Sequence, residues 1–187
     1  MVLHCDYNVA HTNVVLGLVE SLVGLIPAGG GCKEMLWRWL QTPEGKENSE
    51  HASMKVFDLI GYAITATSPN EALPNQFFLE KDKVVINRDR QLSTAIDLLN
   101  NIEGGYEKPS QPKFNLGGSA VRDKMFEKLE ALYNENKILD HGLEVGKRIA
   151  FVLSGGNTNI DNELSEDDLY NLESVSYTHL TLPTMWY

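Results

Sequence analysis

Four glycines and a proline fall within the eight residues Gly24-Leu25-Ile26-Pro27-Ala28-Gly29-Gly30-Gly31, and this run constrains the fold more than any other feature. Backbone of that composition continues neither a helix nor a strand. Before it stand two short β-branched runs, Tyr7-Asn8-Val9-Ala10 and Asn13-Val14-Val15-Leu16. After it, Met35, Leu36, Trp39 and Leu40 fall on one face of a helix. The apolar period thus changes from strand to helix across a glycine turn, so the expected class is α/β.

Further breakers divide the rest. Thr42-Pro43-Glu44-Gly45 ends the first helix, and Val56, Phe57, Ile60 and Ile64 mark a second. Ser68-Pro69-Asn70-Glu71 has the form of a capping box with proline at the first helical position, opening a short helix that Pro74 interrupts. Lys83-Val84-Val85-Ile86 reads as a strand, and Leu92, Ala95, Ile96, Leu99 and Ile102 as an amphipathic helix. Residues 104–119 read as a linker, with helices expected around Val121–Tyr133 and Leu143–Leu153, the latter halted at Ser154-Gly155-Gly156. Asp161 to Asp168 reads as a solvated acidic segment. The expected organisation is a core over 1–103, the linker over 104–119, a helical region over 120–174 and a tail over 175–187. So few strands against so many helices suit the back half of an α/β domain whose sheet lies upstream.

Charge and composition narrow the partners. Among 187 residues, 26 acidic side chains oppose 16 basic ones, a net charge of −10. Affinity for a phosphate backbone rests on clustered Lys and Arg, so no nucleic-acid partner is expected. Residues 14–26, the longest apolar stretch, are too short to span a bilayer and contain Glu20, so no membrane span is expected either. Cys5 and Cys32 lack the spacing of a zinc or redox motif, and no metal site is expected. With no signal-like start, a cytoplasmic location follows.

Two nucleotide motifs fail at the glycine turn. Gly24 and Gly29 match the spacing of a phosphate loop, but Gly30 and Gly31 stand where Lys and Ser/Thr are needed. The dinucleotide fingerprint fails at Glu34. Backbone N–H groups opening a helix remain a possible cradle for an oxyanion, against the plainer reading of a tight turn that needs glycine for packing. Glu20 stands in a charge-poor run, where desolvation would raise its pKa and suit it to proton transfer; the alternative is a solvated turn residue. His4, His11, His51 and His141 read as structural, and Trp37 and Trp39 as core or interface aromatics.

Val175-Ser176-Tyr177-Thr178-His179-Leu180-Thr181-Leu182-Pro183-Thr184 resembles the translated transposon-end adapter used in preparing DNA sequencing libraries. The tail over 175–187 is therefore expected to be non-native, and the chain a fragment.

Val19-Glu20, then Gly24, Ile26-Pro27 and a glycine-rich turn opening a helix, resembles the crotonase (enoyl-CoA hydratase/isomerase) superfamily. Residues 82–90 and 146–156 are similar to the branch in which a 3-hydroxyacyl-CoA dehydrogenase precedes a C-terminal hydratase domain. The resemblance implies the C-terminal portion of a crotonase-like spiral of ββα units, here mostly helical. It implies Glu20 as a catalytic acid/base and Ile26, Pro27, Ala28, Gly29 and Gly30 as a turn facing an acyl-CoA thioester, although Ala28 stands where many hydratases have glycine. The implied activity is hydration of trans-2-enoyl-CoA by an intact parent, with an oligomeric parent compatible with the family, and this fragment is expected to be inactive. No cofactor is implied here, and NAD is implied for the parent's dehydrogenase domain. The alternatives are an enoyl-CoA isomerase domain and a non-catalytic helical binding module.

Overall fold

The computed structural model describes residues 2–158 and 163–181. Helices dominate: α1 (Gly31–Leu40), α2 (Pro43–Glu47), α3 (Ser49–Gly61), α4 (Pro69–Ala72), α5 (Gln91–Ile102), α6 (Gly118–Asn134), α7 (Asp140–Leu153) and α8 (Glu166–Thr181). The strands are short: β1 (Val9–His11), β2 (Leu16–Gly17), β3 (Thr65–Ala66), β4 (Lys83–Val85), β5 (Lys113–Phe114) and β6 (Leu164–Ser165). This mostly helical content with a few short strands agrees with the expected α/β class. The strands pair only two by two among the described residues.

The chain forms two compact units, Met1–Gly17 with Thr65–Gln111, and Leu18–Ile64 with Pro112–Tyr187. They interleave along the sequence, whereas the expected organisation ran in order as 1–103, 104–119 and 120–174. The inserted stretch that carries α1 to α3 closes its helices on α6 to α8, because that is where their apolar faces find partners.

In the first unit β1 runs parallel to β4, with Val9, Ala10 and His11 opposite Lys83, Val84 and Val85. Asp82 fixes that register, accepting the backbone N–H of Asn8 at 2.8 Å and of Leu79 at 2.9 Å. β2 and β3 pair antiparallel. The cap forms, with one difference from a regular capping box: Ser68 Oγ accepts the Glu71 N–H at 3.3 Å, while the Glu71 carboxylate accepts the N–H of Thr67, one residue before the cap, at 2.7 Å. Phe77, Phe78 and Ala72 are buried beneath it.

The second unit is a helical packing. Met35 and Leu36 of α1, Val56 and Ile60 of α3, Met125 of α6, Ile149 and Leu153 of α7 and Leu169 of α8 are fully buried. Ser53 Oγ ties α3 to the end of α7 by donating to the Leu153 carbonyl at 3.0 Å. Gly155 and Gly156, at φ +87° and +68°, end α7 in the left-handed region, as Ser154-Gly155-Gly156 foretold. The stretch read as a linker carries β5, and Phe114 within it is fully buried with its ring edge-on to Trp37 at 5.8 Å. Asp161 lies outside the described residues.

Candidate functional site

The glycine turn opens α1, and its geometry explains its composition. Gly30 sits at φ +83°, a conformation that L side chains rarely adopt. A Cβ on Gly31 would stand 2.7 Å from Pro27 Cβ, so only glycine permits that approach. No side chain of the turn caps the helix. The cap comes from α8: the Glu173 carboxylate accepts the Gly30 N–H at 2.8 Å and the Lys33 N–H at 2.6 Å. A carboxylate at a helix N-terminus satisfies orphan donors and complements the dipole. The backbone groups that would cradle an oxyanion are thus bonded to this chain's own carboxylate.

Glu173 is fully buried. Burial pushes its pKa up to about 7, against the lowering effect of the Lys33 and Gly30 N–H groups. The Lys33 ammonium binds Glu34 at 2.6 Å and also Glu166. Burial opposes its charge, but the hydrogen bonds to Glu166 and Glu34 outweigh that and hold its pKa above the usual value. Cys32 is fully buried, and its thiol donates to the Pro27 carbonyl at 3.6 Å. Burial, then the charges of Glu173 and Glu20, raise its pKa well above the ordinary thiol value, so it stays a protonated, unreactive thiol.

Glu20 opens a 3₁₀ turn, Glu20–Val23, and is half-buried. Its Oε2 is buried without a hydrogen-bond partner among the described residues. Of the turn expected to face a thioester, Ile26, Pro27 and Gly30 are buried, Ala28 is half-buried and Gly29 is exposed. Among the described residues no group of three or more His, Cys, Asp and Glu is placed to hold a metal. His11 and His141 engage the Ile86 and Gly24 carbonyls, both at 2.8 Å, in structural contacts. Glu173 was not singled out from the sequence. Its signal was the spacing Leu169, Glu173, Ser176, Leu180, all buried on one face of α8, but that period runs into the stretch set aside as a tail.

The first unit has a cleft of about 1200 Å³ beside α5, lined by Val9, Arg88, Leu92, Leu99 and Tyr106. The Tyr106 hydroxyl donates to Asp6 at 2.6 Å at its margin. Nothing in the motif analysis pointed to it, because apolar residues at helical spacing read as core.

No family model matches the chain, and no solved structure matches it. The chain is 30% identical over 173 residues to a probable 3-hydroxyacyl-CoA dehydrogenase of Bacillus subtilis (strain 168). The match covers 92% of this chain and 22% of that protein, so the chain spans about a fifth of the relative's length. This overturns enoyl-CoA hydration as the expected activity: the relative is named for oxidation of a 3-hydroxyacyl-CoA, not for addition of water. The resemblance rested on residues 17–35, 82–90 and 146–156; the 3-hydroxyacyl-CoA dehydrogenase that it implied for the parent agrees with the relative's name, and the hydratase does not. Among the described residues no helix is long and apolar enough to cross a membrane.

Proposed function

We propose that the chain is a structural part of a 3-hydroxyacyl-CoA dehydrogenase-type enzyme and is not its nicotinamide-binding part. The observation that carries this is the 30% identity over 173 residues with the Bacillus protein. Such an oxidation moves a hydride to an acceptor, for which NAD is the candidate, and the glycine turn does not fit that group. Its N–H groups are bonded to Glu173, and a pyrophosphate there would meet a carboxylate in place of free donors. Glu34 also stands where the dinucleotide fingerprint needs glycine. We therefore assign NAD to the part of the longer polypeptide outside this stretch and derive no step through it here.

The role left to the second unit is to hold a rigid helical packing around α1, with Glu173 and Lys33 as its polar ties. The resemblance of residues 17–35 to the crotonase superfamily supports a related origin for this local turn and helix. Within that reading Glu20, half-buried with an unpartnered oxygen, is the one carboxylate proposed to face an acyl-CoA.

The test is a chimera: the Bacillus protein with its matched stretch replaced by the corresponding residues of this chain. A folded chimera should oxidise 3-hydroxyacyl-CoA with NAD⁺ within about tenfold of the parent, since the exchanged stretch is proposed to hold no nicotinamide-binding group. A folded chimera with no dehydrogenase turnover would overturn the proposal.

A further inference from the structure

Helix α5 carries Leu92, Ala95, Ile96, Leu99 and Ile102 on one face, yet none of its residues is buried. Leu92 is 72% and Leu99 62% exposed, and Ile96 is also exposed. Asp97 is the helix's one charged residue, in a chain of net charge −10. A helix of this length is marginal in water unless its apolar face packs against something. The spacing therefore describes a core-facing helix without its core.

The strands of the same unit repeat the pattern. β1 and β4 are parallel, and no third strand joins them among the described residues. Parallel sheets occur almost only where further layers cover both faces. The Gln91 side chain donates to the Val9 carbonyl at 2.8 Å, engaging β1 on the side away from β4. Among the described residues β4 has no strand neighbour beyond β1, and Val84 and Ile86 beside that edge are exposed, Ile86 at 83%. Most of the Bacillus relative's length lies outside the matched stretch, so proteins of this kind have polypeptide available to supply what is missing.

We infer that the first unit is a docking surface for a further α/β segment of such a polypeptide, which lays an apolar layer over Leu92, Ile96 and Leu99 and sets a strand beside β4. The inference rests on the proposed reading that the chain works within a longer enzyme. The cleft beside α5 is then the space that this segment fills. The apolar face of α5 itself carries no charge to desolvate, and the charged Asp6, Arg88 and Glu103 of the cleft would need polar partners on the incoming segment.

Hydrogen exchange in the chimera described above, compared with the 187-residue chain alone, tests this. Amides of Lys83–Val85 and of α5 should exchange at least about tenfold more slowly in the chimera, as a covered element exchanges from a rarer open state. Equal rates in both would overturn the inference. Turnover is a separate reading: an active chimera with unprotected α5 discards the docking surface and keeps the proposed function, and a protected but inactive chimera does the reverse. Should the chimera be insoluble, the 187-residue chain is co-expressed with the Bacillus protein lacking its matched stretch. Co-purification that is lost with the Ile96→Asp/Leu99→Asp pair supports the inference, and recovery of the two pieces apart overturns it. Slowing of α5 exchange by self-association, or by a fatty-acyl probe, with none in the chimera, would also overturn it and assign the face to a second copy or to a lipid.

Discussion

The carboxylate of Glu173 accepts the backbone N–H of Lys33 at 2.6 Å, although 140 residues separate them in sequence. With the Gly30 N–H on its other oxygen, this one side chain caps α1 from α8. It joins two elements that the sequence gives no reason to pair, and it turns a candidate anion cradle into a structural joint.

Stability should therefore depend on the protonation of Glu173. Its pKa rises on folding from 4.5 to about 7, so between those values the folded state holds the proton more tightly than the unfolded one. The contribution is fully present below about pH 4.5 and is lost as pH rises through about 7. At 1.36 kcal/mol per unit the full loss is roughly 3 kcal/mol. Denaturant melts at pH 5 and pH 8 should show the loss, and Glu173→Gln should flatten it. A wild-type chain equally stable at both values would contradict this account of the joint.

The two glycines on either side of Gly30 should behave differently. Gly31→Ala places a methyl against Pro27 and the Leu18 side chain, and should cost about 1–3 kcal/mol by overpacking. A Cβ on Gly29 meets nothing within 4 Å, so Gly29→Ala should stay within about 0.5 kcal/mol of the parent. Thermal melts of the pair separate a turn that needs glycine for packing from one that needs it for flexibility; equal effects would refute the packing explanation.

Local signals were legible where local chemistry decides. The capping box at Ser68, the α7 stop at Gly155-Gly156 and the β4 strand followed from hydrogen-bonding side chains, backbone freedom and β-branched residues within a few positions. Pairings across the chain were not. Nothing near Gly30 announces Glu173, and Phe114 is buried although it lies in a glycine- and proline-rich stretch whose composition says linker. Helix α5 shows the converse: its period was correctly read as amphipathic, but period says only that a face is apolar, not that something covers it. Glu20 was legible as a carboxylate among apolar neighbours, and its half-buried position with an unpartnered oxygen fits that environment.

That unpartnered oxygen carries a prediction. A buried polar atom without a partner costs about 1–3 kcal/mol. Glu20→Met keeps side-chain length and removes the oxygen, and should raise the denaturation midpoint of the isolated chain. A lower midpoint would mean that the Glu20 carboxylate is satisfied in solution and that its burial is not a reservoir of instability.

The exclusion of nicotinamide dinucleotide from the α1 turn is directly measurable. Titration calorimetry of the 187-residue chain with NAD⁺ should give no saturable heat, because the two donors that a pyrophosphate would use are bonded to Glu173. Saturable binding abolished by Gly30→Ala would place the cofactor at the turn and remove the proposed assignment of NAD to polypeptide outside this stretch.

The bare face of α5 sets the last expectation. Leu92 and Leu99 contribute little to the isolated chain's stability, because 72% and 62% of their surface stays exposed, whereas Ile96, at 49%, buries about half of its own. Replacing Leu92 and Leu99 by Asn should change the unfolding free energy by no more than about 1 kcal/mol per site, helix propensity included. The same replacement should reduce the fluorescence of a dye that reports exposed apolar surface, since these two side chains are among the most exposed large apolar ones of the first unit. The two readouts together are diagnostic. A large loss of stability would mean that the stripe is packed in solution, and undiminished dye binding would mean that the accessible apolar surface lies elsewhere; either result would take α5 out of the account.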